Sequence, residues 1–298
     1  MNNKMDMKVF ESSEKNVWKY VFTNEQIVLE SVLYKYETFE KRTVICCSVQ
    51  SGCKIGCTFC GTGKNFIKSI SSEQIIEQIH SVLKDKNIED INSTCERFQI
   101  MFMSMGEPMD NMIEVEKAIR TLNIEYPNAQ LLLSTIGMKN EDSFKRIVNI
   151  SKDIEKVGLQ FSIHKSTDKE RDILIPFKKK YSLREIRDRG IFWNQITGRK
   201  VYLNYCVDGT NNSEKDIENL KNLFSPVIFN MTFSVICESD ETMASAACSN
   251  IDIIRVFEKS FINDGYNTRI FDPAGQDSIG GGCGQLWFVQ DFLNKQII

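Results

Sequence analysis

From residue 42 almost to the end of the chain, short runs of apolar, β-branched and aromatic residues alternate with longer stretches whose apolar positions recur every three or four residues. The short runs predict strands over Arg42–Gln50, Arg97–Met103, Gln130–Ser134, Val157–Ile163, Lys200–Val207 and Val227–Ile236. The longer stretches predict amphipathic helices over Ser72–Lys86, Asn111–Glu125, Asp142–Asp153, Ser182–Thr197 and Ser213–Phe224. Several open with Ser, Asn or Asp where an N-cap belongs and Glu close behind, as in Ser72-Glu73 and Ser213-Glu214. Six strand-then-helix units in succession imply an α/β fold whose parallel sheet curls into a barrel or part of one. Upstream, Trp18–Ile45 reads as two or three β-like runs with a turn at Thr23-Asn24-Glu25. Downstream come a helix over Ile251–Asp264, a strand over Thr268–Phe271 and the loop AGQDSIGGGCG. No internal repeat or low-complexity linker interrupts this order. Residues 1–41 are expected to form an N-terminal β extension on a core of residues 42–298.

Composition narrows the class. At 298 residues, with 42% apolar and 26% charged, the chain can bury a substantial core and is neither disordered nor a coiled coil. No run approaches the roughly 18 apolar residues of a membrane span. The N-terminus MNNKMDMKVF lacks the apolar stretch of a secretion signal, so a cytoplasmic protein with no membrane partner is expected. A net charge of −3 supplies no bulk attraction for nucleic acid. Ten cysteines against two histidines point to thiolate chemistry instead of disulfide staples or a His-rich metal site.

Cys53, Cys57 and Cys60 form C-x3-C-x2-C in a glycine-rich loop directly after the first barrel strand. Three thiolates on one compact loop can hold three irons of a [4Fe–4S] cluster and leave the fourth iron open to a ligand. A zinc site, the alternative, usually takes four protein ligands and a second C-x2-C pair, and no such pair stands elsewhere in the chain. Phe59, before the last cysteine, is expected to shield the group. His80 sits mid-helix in EQIIEQIHSVL and reads as structural.

This cysteine spacing after a first strand resembles the signature of the radical S-adenosylmethionine (SAM) superfamily. The stretches VICCSVQSGCKIGCTFCGTG, FMSMGEPMDN, LLLSTIG, FSIHKSTDKERDILIPFKKKYSL, YCVDGTNNSEKD and QDSIGGGCGQL follow, in order, the motifs of the RlmN/Cfr family, dual-action methyltransferases that modify adenine in RNA. The resemblance runs from about Glu30 to Leu286. It implies a partial (β/α)6 TIM-like barrel of the radical SAM type, with a short N-terminal β extension and a C-terminal loop. It also implies a [4Fe–4S] cluster on Cys53, Cys57 and Cys60, and two SAM molecules per turnover. In the MGEP turn, Gly106 lets backbone approach a ligand, and Glu107 is expected to accept from the SAM amino group. Ser134, Ser162, Ile163 and His164, at the ends of the third and fourth strands, suit the SAM carboxylate and ribose. A family contact is missing: an Asn-Pro pair after the sixth strand is replaced by FSVICESDET, with Cys237 or Glu238 near the expected place.

Two more cysteines acquire roles by the same resemblance. GGCGQL is similar to the family's ACGQL, whose cysteine is S-methylated, so Cys283 is the expected methyl carrier and Cys46 the expected resolving cysteine. Strand alternation sends Cys47 to the opposite face. The implied chemistry splits a difficult methylation in two, because an sp2 amidine carbon such as C2 of adenine is electrophilic and cannot attack a SAM methyl. Cys283 takes a methyl by displacement; a second SAM, reductively cleaved, yields a 5′-deoxyadenosyl radical that activates that methyl for addition to the base. Cys46 then attacks the Cys283 sulfur and releases product as the two form a disulfide. Glu30, in Leu29-Glu30-Ser31-Val32, resembles the family's proposed base for the proton on the former sp2 carbon.

The expected substrate is rRNA or tRNA, with methylene transfer to a small molecule or peptide as the alternative. Only 29 residues precede Glu30, so the expected form lacks the accessory N-terminal domain of the family's RNA-directed members. Lys178, Lys179 and Lys180, with Arg171, are the candidate phosphate contacts. The expected partners are RNA and an electron donor such as flavodoxin or ferredoxin, acting on a monomer.

Overall fold

The computed structural model describes residues 5–235, 251–271, 277–282, 284–286 and 288–296. Cys237, Glu238 and Cys283 lie outside the described residues. The strands are β1 (Asp6–Glu11), β2 (Val17–Thr23), β3 (Val28–Tyr36), β4 (Arg42–Cys47), β5 (Gln50–Gly52), β6 (Phe66–Ser69), β7 (Phe98–Phe102), β8 (Gln130–Thr135), β9 (Val157–Ser162), β10 (Val201–Val207), β11 (Phe229–Val235) and β12 (Thr268–Phe271). The helices are α1 (Ser72–Asp85), α2 (Ile91–Thr94), α3 (Met112–Glu125), α4 (Glu141–Asp153), α5 (Asp168–Leu174), α6 (Leu183–Thr197), α7 (Glu214–Leu223), α8 (Ile251–Ile262) and α9 (Phe288–Gln296). Among the described residues, no helix is long and apolar enough to cross a membrane.

One sheet runs β1-β2-β3-β4-β7-β8-β9-β10-β11-β12. Strands β1 to β4 pair antiparallel, and every pairing from β4 to β12 is parallel. This is the expected partial barrel, with a seventh parallel strand and an antiparallel extension continuous with its first strand. The turn at Asn24 is built as the sequence suggests: its side chain accepts from the Gln26 and Ile27 amides at 2.8 and 3.0 Å.

Helix starts follow local capping chemistry. Ser71, one residue earlier than the pattern indicated, caps α1 in a reciprocal box with Gln74. Ser213 and Ser182 do the same for α7 and α6. The helices cover one face of the sheet, where Phe98, Phe161, Trp193 and Phe233 are almost wholly buried. Each such side chain contributes roughly 2–3 kcal/mol by leaving water.

One boundary needs correction. The strand expected over Arg42–Gln50 stops at Cys47, and Gln50–Gly52 pair instead with β6 in a separate hairpin. Polar groups at the break are the reason. Ser48 Oγ donates to the Glu30 carbonyl at 2.5 Å, and the Ser48 amide donates to Gln78 Oε1 at 2.9 Å. Those bonds take the backbone out of the ladder and turn it into the cysteine loop.

Candidate active site

Cys53, Cys57 and Cys60 follow the β5 hairpin strand. The Cys53 amide donates to the Asn65 carbonyl at 2.7 Å, and the Thr58 amide to the Leu174 carbonyl at 2.9 Å, so the loop is tied at its first cysteine and again between its last two. All three cysteines are half-buried and face one cavity of about 180 Å³. Burial pushes the Cys53 thiol up to about 12. Arg171, fully buried, donates to the carbonyls of Tyr181, Ile136 and Ser162. Its guanidinium lies close enough to Cys57 to interact with it electrostatically. Among the described residues, no three His, Cys, Asp or Glu side chains converge on a point that would hold a single ion. The fit to a cluster rests on three thiols facing a common cavity beside a buried positive charge.

The MGEP turn forms the cavity's next edge. Gly106 has φ +95°, and a Cβ there would stand 2.6 Å from the Gln50 Cβ. Only glycine fits. Gln50 joins this turn to the cysteine loop: its Oε1 accepts from the Glu107 amide at 2.9 Å, and its Nε2 donates to Asp110 at 2.8 Å. Glu107 is almost fully buried yet lines the cavity. Its carboxylate accepts from Thr135 Oγ1 at 2.5 Å, the Met109 amide at 3.0 Å and the Ile136 amide at 3.0 Å. Burial outweighs those donors and raises its pKa to about 7. A ligand ammonium at this edge would favour the ionised form.

Ser134 and Ser162, on adjacent strands, both line the cavity, and their hydroxyls meet at 3.4 Å. His164 lines it too, in left-handed backbone at φ +58°. Its Nδ1 accepts from the Cys206 amide at 3.2 Å, which places the proton on Nε2. Burial, then Arg171, lowers its pKa to about 3, so the ring is neutral. Phe59 stacks edge-on to it at 5.3 Å. Ile163 differs from the rest of the expected set: its side chain packs in the main core, and its amide donates to the Asn204 carbonyl at 2.9 Å.

Cys46 lines the same cavity, opposite Val32 and Met101 in the sheet register. Gly281, Gly282 and Gly284, which flank Cys283, line it as well. This arm is fastened to the cysteine loop, since the Gly61 amide donates to the Gly284 carbonyl at 2.8 Å and Thr62 Oγ1 to the Leu286 carbonyl at 3.1 Å. Glu30 is fully buried outside the cavity wall. Its Oε1 accepts from the Phe288 amide at 2.9 Å, and Lys19 Nζ stands 3.5 Å from Oε2. Burial lowers the Lys19 pKa, an effect that Glu30 partly offsets.

Two expected phosphate contacts are corrected. Arg171 is buried against carbonyls, and Lys180 is buried with its ammonium on Asp172 and the Phe177 carbonyl. Lys178 and Lys179 remain exposed beside Phe177 and Lys54. The polar far wall is an addition. Gln160, Asn204, Thr232 and Arg269 line it, and Arg269 donates to Thr232 Oγ1 at 2.7 Å and to Gln160 Oε1 at 3.1 Å. The available signal was a polar residue at an inward position of an otherwise apolar strand.

No family model matches the chain. The "Probable dual-specificity RNA methyltransferase RlmN" of Thermotoga neapolitana is 28% identical over 251 residues, covering 82% of this chain and 68% of that protein. The protein of the same name from Pseudothermotoga lettingae is 28% identical over 295 residues, covering 96% of this chain and 80% of its own length. The crystal structure of a radical SAM methyltransferase from Sphaerobacter thermophilus shares the fold, with a TM-score of 0.79 at 24% identity over 94% of this chain and 80% of that one. Likeness of sequence and of fold along almost the whole length agrees with the motifs gathered around the cavity, and the chain is similar throughout to RNA methyltransferases of the RlmN kind.

Proposed function

We propose that this chain transfers a methyl group from SAM to an sp2 carbon, C2 of an adenine in rRNA or tRNA, by way of a methyl carried on Cys283. The observation that carries the reading is the common cavity: Cys53, Cys57, Cys60, Cys46 and Glu107 line it together with glycines on both sides of Cys283. RNA as substrate rests on the names of the relatives.

A [4Fe–4S] cluster on Cys53, Cys57 and Cys60 would supply the single electron that cleaves SAM. The protein's own residues divide the remaining work. Glu107 takes the SAM ammonium, while His164 offers an Nε2–H and Ser134 and Ser162 offer hydroxyls to its polar groups. The Cys283 thiolate displaces S-adenosylhomocysteine from SAM and becomes a thioether. Once that carbon is joined to substrate, the Cys46 thiolate attacks the Cys283 sulfur. An S–S bond forms and the S–C bond breaks, its electron pair leaving with the carbon, which takes up a proton to become methyl. Glu30 is the candidate base for the ring-carbon proton. Its carboxylate is buried outside the cavity wall with Oε1 on the Phe288 amide, so this role requires a movement that brings the carboxylate to the ring carbon.

The test is an anaerobic incubation of reconstituted protein with methyl-deuterated SAM and rRNA or tRNA fragments, followed by nucleoside mass spectrometry. A methyladenosine carrying label is expected; an unmodified RNA pool would refute the RNA assignment. A small molecule or peptide is the second reading, favoured by the withdrawal of Arg171 and Lys180 from the surface.

A further inference from the structure

The face of β2 and β3 that meets the C-terminal arm is made of Val17, Val21, Val28 and Val32, interrupted by one charged pair. Lys19 and Glu30 lie on that face as diagonal neighbours, because Lys19 stands opposite Val32 and Glu30 opposite Val21. Neither has any solvent exposure. Taking two charges out of water is costly, and their mutual attraction repays it only where further hydrogen bonds satisfy both groups. What sets the pair apart is where its remaining hydrogen bonds go. Lys19 Nζ donates to the Gly280 carbonyl at 3.1 Å, and Glu30 Oε1 accepts from the Phe288 amide at 2.9 Å. Tyr34, on the same face, donates through its hydroxyl to the Gly281 carbonyl at 2.8 Å. All three side chains bond to backbone of one short segment, on either side of Cys283.

We infer that Lys19, Glu30 and Tyr34 form a latch that positions the Cys283 arm over the cavity, with the N-terminal β extension as its anchor. The inference rests on the carrier reading of Cys283 for its purpose, but its geometry stands on described residues. Gly280, Gly281 and Gly282 have no side chains with which to hold themselves, so an arm of this composition has only backbone groups to offer a partner. A buried ammonium, a carboxylate and a phenol supply both kinds of partner, acceptor for its amide and donors for its carbonyls. Lys19 and Tyr34 are positioning residues: they act through the arm.

The experiment compares wild-type protein with Lys19→Met/Glu30→Leu, which removes both charges together so that neither is left stranded, and with Tyr34→Phe. Amide hydrogen exchange is read by mass spectrometry over peptides spanning residues 278–288. The latch predicts exchange in that segment at least tenfold faster in the double variant and severalfold faster in Tyr34→Phe, with β8 and β9 peptides unchanged. In Tyr34→Phe it further predicts a lower kcat with an unchanged KM for SAM, and more SAM cleaved per methyl transferred. Unchanged exchange in both variants, or faster exchange spread evenly over the whole chain, would overturn it. The carrier reading is judged separately, by whether wild-type Cys283 bears a methyl.

Discussion

Cys46 and Cys47 are neighbours on β4 that point to opposite sides of the sheet: Cys46 lines the cavity, and Cys47 is sealed in the main core with its thiol toward the Met101 carbonyl. Strand alternation thus separates a thiol that faces the cavity from one sealed in the core. Burial holds the Cys47 thiol well above its ordinary range, which keeps it protonated and unreactive. Cys47→Ala should cost about 1–2 kcal/mol of stability in a urea titration and leave turnover intact. Cys46→Ala should do the reverse, leaving substrate attached to the protein through Cys283. Equal loss of activity in the two variants would contradict the assignment.

Glu107 makes stability depend on pH. Its carboxyl sits at about 7 in the folded protein against an ordinary value of 4.5, with burial as the main cause. Between those values the folded state binds more protons at Glu107 than the unfolded chain does, so this group's contribution to stability is greatest below 4.5 and falls as pH rises to 7. The loss is on the order of 3 kcal/mol at 1.36 kcal/mol per unit. Urea titrations across this range should show the fall in wild type and not in Glu107→Gln. Saturating SAM should shrink it, because its ammonium favours the ionised carboxylate. A wild-type profile parallel to that of Glu107→Gln would count against this reading.

Much of this was legible in the sequence, for identifiable reasons. The parallel strands are short β-branched or aromatic runs and appeared where expected, because buried strands of this kind leave a plain apolar signal. The helix α5 (Asp168–Leu174) did not, since it spans only two turns and leaves Ile173 exposed, which spoils its periodicity. The cysteine motif, the MGEP turn, Ser134, Ser162 and His164 converge on the cavity because all lie at strand ends. Burial of charge was not legible. Arg171 and Lys180 look like solvated surface in a charge-rich stretch, and Lys19 and Glu30 look like exposed positions on alternating strands. Lys19 and Glu30 are buried against the C-terminal segment and Arg171 against the Ile136 carbonyl, partners distant in sequence that no local pattern announces, while Lys180 is buried on nearby Asp172 and Phe177.

Lys178 and Lys179 are the exposed pair left from the basic run. If RNA is the substrate, a Lys178→Glu/Lys179→Glu variant should bind it more weakly across sequences. Its salt dependence should flatten by about one unit of slope for each phosphate that a lysine no longer neutralises. A gel-shift titration at several salt concentrations reads both effects. Unchanged affinity and slope would move these residues off the RNA path and favour a small substrate.

The carrier role of Cys283 is the claim on which the rest depends, and peptide mass spectrometry of protein isolated from cells with its cluster intact tests it most directly. The account predicts a mass increase of one methyl group on the peptide containing Cys283. That increase should be absent in Cys57→Ala, which removes one of the three thiols proposed to hold the cluster, and Cys283→Ala protein should transfer no methyl to substrate. An unmodified Cys283 together with methyl transfer by the Cys283→Ala variant would contradict the account.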